Sequence, residues 1–178
     1  MTRVTYAAPR MGYLCGSNGV PKEFNMKIAI ASDHAGFNQK PAMVEYLKSL
    51  GHEVVDFGPQ NDDRVDYPDF ADKVARYVAA GNADRGVLIC GTGIGMALTA
   101  DKVPGIRAAV IQSPYFAHLF REHNDGNVVC MSGRFTPFDV NKAIVDEFLT
   151  TDFGGGRHAG RVQKIMREDD PSFKGVDA

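Results

Sequence analysis

From Lys27 onward, short β-branched runs alternate with longer stretches carrying apolar residues at helical spacing, and this alternation constrains the fold more than any other feature. "KIAIAS" precedes "NQKPAMVEYLKSLG", "EVVDF" precedes "YPDFADKVARYVAAG", and "GVLIC" precedes a helix from about Gly95 to Lys102. "RAAVI" then precedes "SPYFAHLFREH", and "NVVCMS" precedes "PFDVNKAIVDEFLT". Strands joined through helices of this length cross over and pair in parallel, and their unbroken apolar runs suit burial on both faces. The expectation is an α/β fold: a three-layer αβα Rossmann-like sandwich with a five-stranded parallel sheet, spanning residues 26–150. Pro41 fits its helix only in the first turn, and Gly51 is a natural stop.

Residues 1–25 are rich in Gly, Pro, Asn and Ser and show no period, which predicts a poorly ordered N-terminal extension. Residues 151–178 begin with a glycine hinge and become helical, with Arg157 and Arg161 four apart on one face. A chain of 178 residues with 44% hydrophobic content can bury one good core. A net charge of −2 offers no basic excess for nucleic acid, and no run of 18 apolar residues suggests a membrane span. The N-terminus lacks the apolar core of a secretory signal. The three cysteines (Cys15, Cys90, Cys130) are odd in number and lack a CxxC spacing, so neither a disulfide framework nor a metal site is expected. These features together suit a cytoplasmic protein.

In a sheet of this kind, ligands bind beyond the carboxyl ends of the strands. After the first strand comes "SDHAG". Ser32 or Asp33 alone reads equally well as a helix cap, but His34 beside Asp33 is less easily explained that way. After the third strand comes "CGTGIG". A dinucleotide fingerprint starting at Gly91 would need glycine at position 96, where Met96 stands. No GK[ST] follows, and a Cys-x5-Arg phosphatase loop would need arginine at 96. What remains is a tight turn whose backbone N–H groups suit an anion or a developing oxyanion and favour the thiolate form of Cys90. A strand-end cysteine is also commonly inert packing. "REHNDGN" places His123 and Asn124 at a helix end, readable as turn chemistry or as a general acid. "SGR" adds Arg134, which with Arg157 and Arg161 could converge on one phosphate, although each alone reads as a solvated surface residue.

Taken together, "SDHAG", "DYPDFA", "ICGTGIGMA", "IRAAV", "REHNDGNV", "SGR" and "GGRHAGRV" closely resemble the class B ribose-5-phosphate isomerases, a family that includes the galactose-6-phosphate isomerase subunits. The resemblance runs from about Lys27 to Lys164. It implies a cofactor-free aldose–ketose isomerase that interconverts ribose 5-phosphate and ribulose 5-phosphate through a cis-enediolate. By position, Cys90 matches the base that moves the proton between C2 and C1, and Thr92 the group that shifts the hydroxyl proton. The amides of Gly91, Thr92, Gly93, Ile94 and Gly95 match the cradle for the enediolate oxygen. His123 matches the ring-opening residue with Asp33 assisting, and Asn124 and Tyr67 match hydroxyl contacts. His34, Arg134, Arg157 and Arg161 match the phosphate-binding positions. The family forms homodimers, sometimes homotetramers, with sites shared between subunits.

Asp101 departs from the pattern, standing where asparagine is expected, and should weaken or alter a local hydrogen bond. Two competing functions remain: an isomerase of a hexose 6-phosphate such as allose or galactose 6-phosphate, and a phosphosugar sensor without catalysis. Retention of Cys90, Thr92 and His123 argues against the sensor, which would need only the arginines.

Overall fold

The computed structural model describes residues 25–175, so the expected N-terminal extension lies outside the described residues apart from Asn25. Five strands alternate with helices: β1 (Lys27–Ser32), α1 (Lys40–Ser49), β2 (Glu53–Asp56), α2 (Tyr67–Ala79), β3 (Arg85–Cys90) and α3 (Ile94–Ala100). They continue through β4 (Ala108–Val110), α4 (Pro114–Asn124), β5 (Val128–Ser132), α5 (Phe138–Thr150) and α6 (Arg157–Arg167). Pro41, Pro68 and Pro114 all lie in first turns, where no intrahelical N–H is required of them.

The sheet is parallel throughout, in the order β2-β1-β3-β5-β4. Side chains alternate across β1: Ile28 and Ile30 face one layer, and Ala29 and Ala31 the other. Met43 and Leu47 of α1, Phe120 of α4 and Ile144 and Phe148 of α5 fill the first layer, where the rings of Phe120 and Phe148 stack. Val74 and Val78 of α2 and Met96 and Ala100 of α3 fill the second. The three-layer reading is therefore correct. Near-complete burial of β1, β3 and β5 explains their unbroken apolar runs.

The strand order creates the site. β2 lies on one side of β1 and β3 on the other, and α1 and α2 cover opposite faces, so the chain reverses its direction of winding between β1 and β3. A crevice opens at such a reversal, beyond the strand ends. Ser32 pairs with Ile89 there, and Cys90 pairs with Ser132 of β5. The segments after β1, β3 and β5 therefore meet at one place.

Candidate active site

Cys90 ends β3 and is 7% exposed. Its thiol donates a hydrogen bond to Asp33 Oδ2 at 3.1 Å, across 57 residues of sequence. Asp33, 4% exposed, is fixed by its own turn, because Oδ1 accepts the N–H groups of Ala35 and Gly36, each at 2.9 Å. Burial, the bond to Asp33 and the negative charge of that carboxylate push the Cys90 thiol up; the amides of Gly93 and Thr92 pull the other way and lose. The turn does aim N–H groups at the sulfur, as its sequence suggests. The net direction is nevertheless away from the thiolate, because burial, and with it a carboxylate brought in from the turn after β1, outweighs the amides.

Gly93 sits at φ +82° where the loop enters α3, a conformation that penalises any side chain with a Cβ. At Gly95 a Cβ would lie 2.6 Å from the ring of Tyr67, so the first residue of α2 covers the first turn of α3 only because position 95 is glycine. Thr92 and Ile94 are exposed at the mouth, and the Thr92 hydroxyl accepts the N–H of Ile94 at 3.3 Å. Arg134 reaches back over Gly91, its Cδ 3.6 Å from where a Cβ would stand. The loop beneath Arg134 is anchored: Ser132 Oγ donates to the Gly91 carbonyl at 2.7 Å, and the Asn141 amide donates to the Ser132 carbonyl and to Gln39. His34 lies beside Asp33, with Nδ1 3.3 Å from the Val65 carbonyl. Asp33, His34, Tyr67, Cys90, the Gly91–Gly95 turn and Arg134 thus share the carboxyl edge of the sheet.

The remaining candidates lie elsewhere in the chain. α4 runs back against the strands, so His123 and Asn124 in its last turn reach the amino edge, where Asn127 N–H bonds the Arg107 carbonyl ahead of β4. Roughly 16–20 Å of strand separates the two edges. Gly154 N–H bonds the Glu122 carbonyl, which brings the glycine hinge and α6 beside α4. The rings of His123 and His158 stack with centroids 4.3 Å apart, and Arg157 and Arg161 are exposed on the same helix. Within one chain, then, Asp33 cannot assist His123, and Arg134 cannot share a phosphate with Arg157 and Arg161. The reason is topological: a helix that connects parallel strands must end at the opposite edge from where it began.

Several supporting residues had no separate sequence signal. Asp125 caps α4 in the left-handed region at φ +48°, its carboxylate between Arg121 at 2.8 Å and Arg107 at 2.9 Å, and this clamp shapes the turn that carries His123. His158 was visible only as part of "GGRHAGRV"; burial and the neighbouring His123, Arg157 and Arg161 lower its basicity. Asp101 accepts the N–H of Ala108 at 2.7 Å, a bond that asparagine could equally make, so the departure keeps its hydrogen bond. Burial pushes its carboxyl up. Among the described residues no His, Cys, Asp and Glu cluster is arranged to hold a metal, and no helix is long and apolar enough to cross a membrane.

Residues 28–165 match the family model described as ribose/galactose isomerase. The chain is 46% identical to ribose-5-phosphate isomerase B of Escherichia coli over 139 residues, which is 78% of this chain and 93% of that protein. Its fold superimposes on ribose-5-phosphate isomerase B of Clostridium thermocellum with a TM-score of 0.80 at 50% identity, covering 81% of this chain and 97% of that one. The Mycoplasma genitalium enzyme, solved with bound ribulose-5-phosphate, matches with a TM-score of 0.79 at 45% identity, covering 82% and 97%.

Proposed function

The chain belongs to the ribose/galactose isomerase family, and from that membership and the geometry of its carboxyl edge we infer that it interconverts D-ribose 5-phosphate and D-ribulose 5-phosphate. The observation that carries the reading is the buried Cys90 thiol beside Asp33, over a glycine turn whose N–H groups face the sulfur. Moving a proton between adjacent carbons needs one group that can take it and return it, and donors for the oxygen that becomes charged. Cys90 supplies the first, and the amides from Gly91 to Gly95 supply the second. Thr92 at the mouth moves the hydroxyl proton, and Tyr67 closes over the turn and contacts the sugar.

The ring-opening and phosphate-binding groups come from a second copy. His123, Asn124, Arg157 and Arg161 form a half-site at the amino edge, complementary in chemistry to the half-site around Cys90 and remote from it in the same chain. A two-fold dimer that sets one edge against the other completes two identical sites. α6 suits a position between copies: it is strongly amphipathic, yet no residue of it is buried within its own chain. In the assembled site His123 opens the furanose ring, Asn124 holds a hydroxyl, and His34 and Arg134 meet Arg157 and Arg161 of the other chain on the phosphate.

The test is an assay of the purified protein on ribose 5-phosphate and on allose 6-phosphate, beside Cys90→Ala. Wild type is expected to prefer the pentose phosphate, and Cys90→Ala to bind it with little turnover. Preference for the hexose phosphate would replace the substrate reading, and full activity of Cys90→Ala would remove Cys90 as the base.

A further inference from the structure

A thiol that already carries its proton cannot accept another, and the Cys90 thiol is held in that form. For the sulfur to take a proton from carbon, its own must leave, and the acceptor already bonded to it is Asp33 Oδ2, 3.1 Å away. The two oxygens of that carboxylate have separate tasks. Oδ1 accepts both turn N–H groups, from Ala35 and Gly36, which locks the side chain and leaves Oδ2 aimed at the sulfur. Both residues are nearly sealed from water, at 4% and 7% exposure, so the proton has a short internal route. Two full negative charges at this separation repel strongly, so the pair retains one proton between them. The other ionisable groups around the pair are His34 after β1, Tyr67 on α2, Cys130 within β5 and Arg134 beyond it.

We propose that Asp33 takes the Cys90 thiol proton as the sulfur takes the proton of the substrate, so that the two side chains act as a single base. This rests on the isomerase reading and deepens it. In the first half-reaction the substrate C2–H bond breaks and a new S–H bond forms. The original S–H bond breaks, an O–H bond forms at Asp33 Oδ2, and the C2–H electron pair passes into the enediolate. In the second half-reaction Asp33 returns its proton to sulfur, and the thiol delivers one to C1. No free thiolate accumulates and no outside acid or base is consumed. Asp33 acts through Cys90 and is therefore a positioning residue with a proton-holding role, separate from the help to His123 that the family resemblance implies.

Asp33→Asn separates this scheme from a lone thiolate base, because Oδ1 of asparagine still accepts both turn N–H groups while no proton acceptor faces the sulfur. Two quantities are measured: kcat and KM on ribose 5-phosphate, and the pH dependence of Cys90 alkylation by iodoacetamide, followed by mass spectrometry on the Cys90 peptide. The expected result is that alkylation begins at lower pH, because a negative neighbour is gone, while kcat falls at least ~100-fold with KM little changed. An Asp33→Asn enzyme that keeps its kcat overturns the proposal and leaves the thiolate as sole base. An unchanged alkylation profile also overturns it. Asp33→Glu keeps a carboxylate but displaces it by one methylene, and provides the test if the asparagine variant does not fold. It is expected to lower kcat while Cys90 still ionises only at high pH, and an unaltered kcat refutes the relay. The alkylation measurement needs no substrate, so a wild-type enzyme inactive on ribose 5-phosphate would overturn the substrate reading without obscuring the pairing.

Discussion

Replacing Asp125 tests whether the turn carrying His123 is held by charge or by backbone preference. Its carboxylate lies 2.8 Å from Arg121 Nη1 and 2.9 Å from Arg107 Nη2. Arg107 Nε also donates to the Asp125 carbonyl, and Arg121 Nη1 to the Gly126 carbonyl. Arg121 is 3% exposed, and the half-buried Arg85 stands close enough for its charge to be felt by both Arg121 and Asp125. Removing the carboxylate therefore leaves three guanidinium groups near one another in a region of low polarity. Breaking a buried pair by deleting one partner costs about 3–5 kcal/mol. Asp125 is itself a third exposed, so the lower half of that range, about 3–4 kcal/mol, is the reasoned value. A further contribution comes from φ +48°, where alanine is worse than aspartate or glycine by about 1 kcal/mol. Asp125→Ala should then lose about 4–5 kcal/mol, Asp125→Gly about 1 kcal/mol less, and Asp125→Asn about half as much as alanine, since it keeps an acceptor and tolerates the conformation. Urea unfolding followed by circular dichroism at one fixed protein concentration measures all three. Loss of less than about 1 kcal/mol in Asp125→Ala would show that water already solvates these arginines and would refute the clamp.

Two further predictions follow from the two-edge arrangement and from Asp101. Mixing inactive Cys90→Ala with inactive His123→Ala under conditions of subunit exchange should restore about a quarter of wild-type activity, since half the dimers are mixed and each holds one intact site of two. No recovery after verified exchange would place both residues in a site built by one chain. Burial raises the Asp101 carboxyl, so the folded state binds that proton more tightly than the unfolded chain, and stability present below the unfolded value is lost as pH rises through the folded one. Asp101→Asn should therefore raise the urea midpoint at pH 7, with the gain fading as pH falls through the carboxylate range. A lower midpoint at pH 7 would refute the assignment.

Most of the architecture was legible because its signals are local. A buried strand and an amphipathic helix each display their period within about ten residues, and prolines such as Pro41 and Pro114 mark first turns without help from the rest of the chain. The glycine turn after Cys90 was legible for the same reason, since the need for positive φ at Gly93 is met by the residue itself. The protonation of Cys90 was not legible. It depends on burial and on Asp33, and nothing between residues 33 and 90 indicates that β1 and β3 lie side by side. Arg107 beside Asp125 is hidden in the same way, because the two are brought together by β4 and β5 pairing at the sheet edge.

By itself, then, the sequence determined which segments become strands and helices, that the strands run parallel, and which residues stand at element ends with the chemistry of a sugar-phosphate isomerase. Only the tertiary structure decided the strand order, and with it that Asp33 faces Cys90 while His123, Arg157 and Arg161 face the other way. The physical reason is range: hydrogen bonds and side-chain direction within one element are set by neighbours a few residues apart. Which strand ends share a crevice is set by packing among all five strands and the helices that cover them.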